Sequence, residues 1–183
     1  MAQGDLTTLA NVKAWMGITS TDHDAVLTRL ISAASNYIQS WLNRDLFAAD
    51  YTERFDGTGT AMLVLPNYPV QSVTSVKING VVVPAGTDSS DGYFYNTDGI
   101  KLRGYRFERG VSNVLVSYRG GFEAIPAELE QATIELVSLR HKERDRIGIV
   151  SKGLAGETIT YTQRDFTASI KTVLSQFKRV TAT

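Results

Sequence analysis

The chain contains no cysteine among its 183 residues. Disulfide bonds and thiolate metal sites are therefore excluded, and the redox compartment cannot be inferred from cysteine usage. The longest uninterrupted apolar run, from Ala61 to Leu65, is far shorter than the roughly 20 residues that a membrane-spanning helix needs. Residues 1–5 also lack the basic and apolar regions of a signal peptide. We therefore expect a protein that is made in the cytoplasm and does not enter a membrane.

A net charge of either sign is also missing, because 19 Lys and Arg residues balance 19 Asp and Glu residues. Dedicated nucleic-acid binders usually carry a basic excess, so this class is disfavoured. A net sum does not exclude passive contact with DNA through a local patch. Hydrophobic residues make up 43% of the chain, which is enough to bury a sizeable core. The length suits one compact domain or a core that carries one insertion.

Motifs that would indicate catalysis are absent as well. No Gly-x-Ser-x-Gly sequence marks a nucleophile elbow. The residues Asp22, His23 and Asp24 are adjacent, so on a helix they point in different directions and cannot converge on one metal ion. The glycine pair in residues 153–156 lacks the Gly-Lys-Ser/Thr continuation of a phosphate-binding loop. The sequence predicts no catalytic residue, no cofactor, no metal site and no enzymatic activity.

Helical periodicity dominates residues 1–50. One apolar stripe in the second predicted helix comprises Leu27, Leu30, Ile31, Ala34, Ile38 and Trp41. Gly17 stands where a left-handed C-terminal cap would end the first helix. Asp22 is in a position to cap the start of the second helix. These residues predict two helices that pack on a common core.

The period changes to that of short strands in residues 51–122. Asn79-Gly80 supplies the two positive-φ residues of a type I′ hairpin turn between two valine-rich runs. Asp98-Gly99 indicates a second hairpin, and Gly120-Gly121 ends a last strand. This part of the sequence predicts an antiparallel β domain inserted between helices.

Residues 123–183 return to helical spacing. Pro126 suits the first position of a helix, and a charged run from Arg140 to Arg146 suits its solvated end. A short apolar stripe near the C-terminus predicts a final helix. The expected fold is α+β: a small bundle of about four helices, formed by residues 1–50 and 123–183, with an antiparallel β domain at residues 51–122.

Three segments, taken in order, resemble one family of virion proteins. They are Leu6 to Ile18 with Asp22 to Ala34; Ile125-Pro126-Ala127-Glu128-Leu129-Glu130-Gln131-Ala132; and Gly153 to Tyr161 followed by Val173-Leu174-Ser175-Gln176-Phe177-Lys178-Arg179. These segments are similar to the opening helices, the Ile-Pro-x-x-Leu-x-x-Ala helix start and the closing Leu-x-x-Tyr-Arg signature of phage and prophage head–tail connector proteins. Phe177-Lys178 replaces the Tyr-Arg of that signature. The β region resembles the larger members of this family, which include adaptors of gene-transfer-agent particles.

The resemblance implies a structural protein of the virion neck, between head and tail. It implies a dodecameric ring that binds the portal protein and extends the DNA channel, with passive contact to double-stranded DNA. It also implies a downstream partner, either the next neck protein (the stopper) or a tail protein. Neither a cofactor nor a membrane is implied.

Two sets of residues are candidates for partner contacts. We predict that residues 164–183 form a portal-docking arm, because a helix of about three turns is marginal alone and its apolar face must pack on something. Its contact residues would be Ile170, Val173, Leu174, Phe177, Lys178 and Arg179. The alternative is that this stripe packs on the protein's own core. Subunit contacts are predicted at Arg140, Glu143 and Arg144 in the charged run.

Two other interpretations remain open at this point. The chain could be another neck or tail-completion component of the same kind of particle. It could also be a regulator with a helix-turn-helix-like N-terminus. Few basic residues in the second helix, and the long loop between Trp15 and Asp24, disfavour the regulator.

Overall fold

The computed structural model describes residues 4–144, 151–154, 157–160 and 166–178. For residues 151–154 and 157–160 it describes the backbone alone. The described helices are α1 (Leu9–Met16), α2 (Asp24–Leu42), α3 (Ala127–Glu143) and α4 (Ala168–Ser175). The described strands are β1 (Ala49–Gly57), β2 (Met62–Val64), β3 (Val70–Ile78), β4 (Val81–Val83), β5 (Gly92–Asn96), β6 (Gly99–Arg103), β7 (Gly110–Gly120), β8 (Ser151–Leu154) and β9 (Glu157–Thr160). None of these helices is long and apolar enough to cross a membrane.

The chain divides into two compact units. The helical unit comprises residues 4–43 and the described residues between 125 and 178, and the β unit comprises residues 44–124. Strands β1 to β7 lie between α2 and α3 in the chain, and the pairings between the described strands are antiparallel. The predicted α+β fold, with antiparallel strands inserted between helices, is therefore confirmed.

The buried face of α2 forms much of the core of the helical unit. Its buried residues are Leu27, Ile31, Ala34, Ser35, Ile38 and Leu42, which recur at the spacing of one helical face. The predicted stripe was wrong at Leu30 and Trp41, which are only half-buried. Both residues lie at one edge of the buried face, so the true stripe is rotated towards Ser35 and Leu42.

One of the three helix ends predicted from the sequence is confirmed, and the other two differ in the structure. Gly17 ends α1 in the left-handed conformation with φ 68°, as predicted. Asp22 does not cap α2, because the helix begins at Asp24 and His23 takes the capping position without a side-chain hydrogen bond. Asp24 instead accepts a hydrogen bond from Lys13 at 2.7 Å. Pro126 precedes the first residue of α3 rather than filling the first helical position.

Thr8 is a true cap, and its removal is expected to lower the free energy of unfolding by about 1 kcal/mol. Its side-chain oxygen accepts a hydrogen bond from the backbone N–H of Asn11 at 3.1 Å. In Thr8→Ala this donor loses its partner, whereas Thr8→Ser keeps the oxygen and serves as the control. Urea denaturation followed by circular dichroism measures the difference. Equal stabilities for the two variants would contradict the capping role.

The β unit contains a four-stranded sheet in the order β1-β7-β3-β4 and a three-stranded sheet in the order β2-β6-β5. Asn79 and Gly80 form the turn between β3 and β4 with φ values of 51° and 83°, which confirms the predicted hairpin. The second predicted hairpin joins β5 to β6, but its turn is Thr97-Asp98, since Gly99 already pairs with Asn96 in the strands. The central strand β7 shows the alternation expected of a sheet that faces a core.

Side chains from both sheets form a single hydrophobic core. Its buried members are Leu65, Val70, Val76, Ile78, Val83, Tyr93, Ile100, Leu102, Phe107, Val114, Val116 and Tyr118. The hydroxyl of Tyr118 donates a hydrogen bond to Glu53 at 2.6 Å and accepts one from Asn67 at 3.1 Å. Burial and the Glu53 hydrogen bond raise the pKa of Tyr118 well above its ordinary value, so this phenol stays protonated as a donor.

The two ends of the inserted β unit are hydrogen-bonded to each other. The Phe122 N–H donates to the Leu46 carbonyl at 2.7 Å, and the Ala48 N–H donates to the Phe122 carbonyl at 2.9 Å. Beyond them, Ala49 pairs with Gly120 where β1 and β7 begin their ladder. The chain therefore enters and leaves this unit through adjacent backbone segments.

Candidate docking face of the helical unit

Helix α4 carries three of the six residues predicted to contact the portal, namely Ile170, Val173 and Leu174. Its N-terminus is capped by the Thr167 side chain, which accepts a hydrogen bond from the N–H of Ile170 at 3.3 Å. Ile170 and Leu174 are only 1% and 0% exposed, because they stand one turn apart on the face that packs against α3 and α2. These two residues therefore hold α4 in the helical unit.

The other described docking residues, Val173 on α4 and two residues just beyond its end, lie closer to solvent. Val173 and Phe177 are half-buried, and Lys178 is exposed. Arg179 lies outside the described residues. The predicted stripe thus covers two faces of the helix, one inward and one towards the surface.

Two aromatic rings of α2, Tyr37 and Trp41, contact the ring of Phe166, which lies just before α4. The ring of Phe166, just before α4, stacks on Tyr37 with centroids 4.9 Å apart and meets Trp41 edge-on at 5.8 Å. The Arg140 guanidinium lies over the Tyr37 ring at 4.8 Å, and the Lys178 ammonium lies over the Trp41 ring at 5.1 Å. Each cation is attracted to the negative face of the ring below it. We call these five side chains the cation–aromatic stack.

The stack brings together residues that the sequence analysis had assigned to separate contacts. Arg140 was predicted at a subunit interface and Lys178 at the portal, yet both lie against rings of the same helix. Glu143 and Arg144 are exposed at the C-terminal end of α3. The described part of the charged run, residues 140–144, is therefore half-buried at its start and exposed from Lys142 onwards.

Tyr37 and Phe166 were missed as members of this site. A signal was present for Tyr37, because it lies four residues before Trp41 and so shares a helical face with it. Phe166 precedes the last helix and belongs to no periodic pattern. Its contact with α2 depends on tertiary packing, which spacing along the chain does not reveal.

A groove of about 370 Å³ runs between α3 and α4. It is lined by Ala127, Glu128, Gln131, Ala132, Glu135, Ser169, Ile170 and Val173. Its floor is apolar, and its only ionisable lining residues are the two glutamates of α3. This arrangement can receive an apolar side chain with a basic neighbour.

The two histidines contact each other, His23 at the N-terminus of α2 and His141 in the last turn of α3. The rings of His23 and His141 lie edge to face with centroids 5.2 Å apart. Within the described ranges, no group of three or more His, Cys, Asp or Glu side chains could hold a metal ion.

Comparison with known proteins identifies the relatives of the chain. The sequence model of the head completion protein family matches residues 5–180. No curated protein matches the chain. The chain resembles one from the neck of a native gene transfer agent (GTA) particle computed with C12 symmetry, with a TM-score of 0.55 and 17% identity over 96% of this chain and 90% of that one.

Two further structures share the fold. A chain from the neck of an empty GTA particle computed with C6 symmetry gives a TM-score of 0.59 at 17% identity, covering 100% of this chain and 94% of that one. A chain from the virion of a native GTA particle gives 0.55 at 15% identity, covering 100% and 98%. At such identities the likeness shows the fold alone. The family match covers nearly the whole sequence and supports the expected absence of enzymatic activity. This chain therefore belongs to the head completion protein family, a family of structural virion proteins.

Proposed function

We propose that the protein is a neck adaptor that binds the portal protein as a ring, extends the DNA channel and provides the attachment surface for the next neck or tail protein. The observation that carries this proposal is the likeness, over 96% of the chain, to a subunit of a GTA neck computed with C12 symmetry. Membership of the head completion family supports it independently. Its mechanism is assembly, and contact with DNA in the channel is passive.

The surface side of α4 and the residues just beyond its C-terminal end form the proposed portal contact. Val173, Phe177 and Lys178 are accessible to different degrees without unfolding the helix, while Ile170 and Leu174 fix its position from below. Arg179 follows Lys178 directly and extends the same basic end. Basic groups at an interface rim steer the encounter with acidic partner groups, and the apolar side chains supply contact area.

Subunit contacts are proposed at the exposed end of α3. Glu143 and Arg144 offer charges of both signs, which suits a repeated polar contact between identical copies. Arg140, which lies over the Tyr37 ring and is half-buried, contributes the accessible part of its side chain. These contacts supply orientation more than affinity.

The combined variant Val173→Asp/Lys178→Glu tests the portal contact. Purified protein is mixed with capsids that carry a portal but lack this subunit, and capsid-bound protein is quantified after sedimentation. We expect the concentration for half-saturation to rise about tenfold or more, since an apolar contact and a steering charge are both lost. Arg29→Glu, a charge reversal at an exposed position of α2, should bind like the natural protein.

Circular dichroism and a thermal melt establish that the combined variant is folded. Unchanged binding by the folded variant would refute α4 as the portal contact. Failure of the natural protein to join such capsids would refute the adaptor function itself.

A further inference from the structure

We propose that one end of the β unit is the surface that holds the next neck or tail protein, and that it receives an apolar side chain with a carboxylate beside it. This inference rests on the proposed function, which requires such a surface but does not say where it lies. The surface comprises residues 79–82 and 104–113, which we call the turn end of the β unit. It shares no residue with α4.

The turn end exposes apolar side chains that the core does not use. They are Val81 at 69%, Val82 at 59%, Tyr105 at 41% and Val111 at 86% exposed. Single exposed apolar residues are ordinary on a protein surface, whereas several in segments that meet at one end of a unit indicate a contact site. Each of these side chains gains free energy when a partner covers it.

A groove of about 990 Å³ opens beside two of these side chains, Val81 and Tyr105. Its floor includes three residues of the hydrophobic core, Ile78, Val83 and Leu102. A cavity of this volume has room for one large side chain and some of the backbone that carries it. The groove therefore fits an apolar side chain from a partner.

Hydrogen bonds hold the turn end in place without a partner. The Asn79 N–H donates to the Asn113 carbonyl at 2.8 Å, and the Asn113 amide donates to the Asn79 side-chain oxygen at 3.2 Å. The same amide donates to the Glu108 carbonyl at 2.9 Å, and its oxygen accepts from the Gly57 N–H at 2.9 Å. Because the turn between β3 and β4 is tied to β7 and to the end of β1, binding incurs little cost of ordering.

The uncommitted charge at the groove is positive. The Glu108 carboxylate already accepts a hydrogen bond from the Asn79 amide at 2.7 Å, and the Arg103 guanidinium lies 3.4 Å from the Asp91 carboxylate. The Arg106 side chain is exposed at the groove and has no hydrogen-bond or ion-pair partner among the described residues. A guanidinium in this position pairs well with a carboxylate. The complementary partner therefore carries Asp or Glu next to its apolar residue.

The proposed neck position supplies the source of this partner. The portal contact is assigned to α4 and its C-terminal end, and the contacts between copies are assigned to the end of α3. The next protein of the neck or tail is the partner that still lacks a surface. DNA fits the turn end poorly, because phosphate groups are met by basic and polar side chains rather than by exposed valines.

Joining of heads to tails in vitro tests the proposal. Portal-bearing capsids that lack this subunit are loaded with the natural protein or with Val81→Asp/Arg106→Glu. They are then mixed with an extract that supplies free tails and the other neck proteins but not this subunit. Loaded protein is quantified on a gel after sedimentation, and tailed particles are counted by electron microscopy. We expect normal loading and at least about tenfold fewer tailed particles, because an apolar contact and a complementary charge are both lost.

Tyr95→Asp/Lys101→Glu is the matched control. It places the same two acidic residues at exposed positions of β5 and β6 that do not line the groove, so it should join tails like the natural protein. Circular dichroism and a thermal melt establish that both double variants are folded.

Three results from the folded Val81→Asp/Arg106→Glu variant would overturn the proposal. Normal numbers of stable tailed particles would mean that the turn end holds no tail or neck protein. Reduced loading would mean that it contacts the portal or a neighbouring copy instead. Normal tailing with loss of packaged DNA, measured by nuclease protection, would assign it to DNA. Failure of the natural protein to load is a different result, because it refutes the adaptor function and this inference with it.

Substitutions at Arg106 alone test the charge of the partner. Arg106→Lys keeps the positive charge and should join tails about as well as the natural protein. Arg106→Glu should lower the number of tailed particles severalfold at low salt, and the difference should shrink as salt screens the pair. Equal numbers from the two variants at low salt would contradict a carboxylate on the partner.

Discussion

Replacing Phe107 with alanine is expected to lower the free energy of unfolding by about 3–5 kcal/mol, the cost of emptying a large aromatic site in a core. Phe107 is 1% exposed and belongs to the core shared by both sheets. Its N–H donates to the Thr60 carbonyl at 2.8 Å, and its own carbonyl accepts from Gly59 at 2.6 Å. These backbone bonds hold the loop in place, so the loop cannot easily collapse into the cavity.

The control is Tyr105→Ala, two residues earlier in the same loop. Tyr105 is 41% exposed, so its loss should change the free energy of unfolding by no more than about 0.5 kcal/mol. Both tryptophans, Trp15 and Trp41, lie in the helical unit, so far-ultraviolet circular dichroism in urea is the better probe here. Matching unfolding curves for the two variants would place Phe107 outside the core.

Replacing Leu174 with alanine is expected to cost about 2–5 kcal/mol in the helical unit. Its side chain is 0% exposed on the inner face of α4, and a helix of two turns has little stability of its own. Loss of this anchor should therefore loosen α4 and the Phe166 ring that precedes it. Trp41 contacts that ring, so its fluorescence reports the change during urea denaturation.

Lys171→Ala is the matched control, since Lys171 lies in the same helix and is exposed. It should leave the unfolding midpoint nearly unchanged. A small effect of Leu174→Ala would contradict a fixed α4 and favour an arm that detaches from the unit. The same measurement thus separates the two roles that the sequence left open for the apolar stripe.

Local features of the fold were predictable where a residue has a strong backbone preference. Asn79-Gly80 gave the hairpin because its two residues tolerate positive φ, and Gly17 gave the end of α1 for the same reason. Strand order was not predictable. Strand β1 pairs with β7, the last strand of the unit, and nothing along the chain encodes a pairing over that separation.

The candidate site was predictable only in part. Helical spacing grouped Ile170, Val173 and Leu174 correctly into one helix, whereas Phe177 lies beyond its last residue, Ser175. The spacing also does not say which members face inward. That division depends on where α3 and the rings of Tyr37 and Trp41 lie. Leu30 illustrates the same limit, because a residue at the edge of a stripe is buried or half-buried according to its tertiary neighbours.

The adjacent entry and exit of the β unit bear on how such a protein can change over evolution. Because Leu46 and Phe122 meet through a backbone hydrogen bond, the insertion occupies the site of a simple loop between α2 and α3. A segment attached in this way can be lengthened, exchanged or lost without requiring the flanking helices to move. Selection can therefore reshape the surface of the β unit by editing one module while the helices keep their packing.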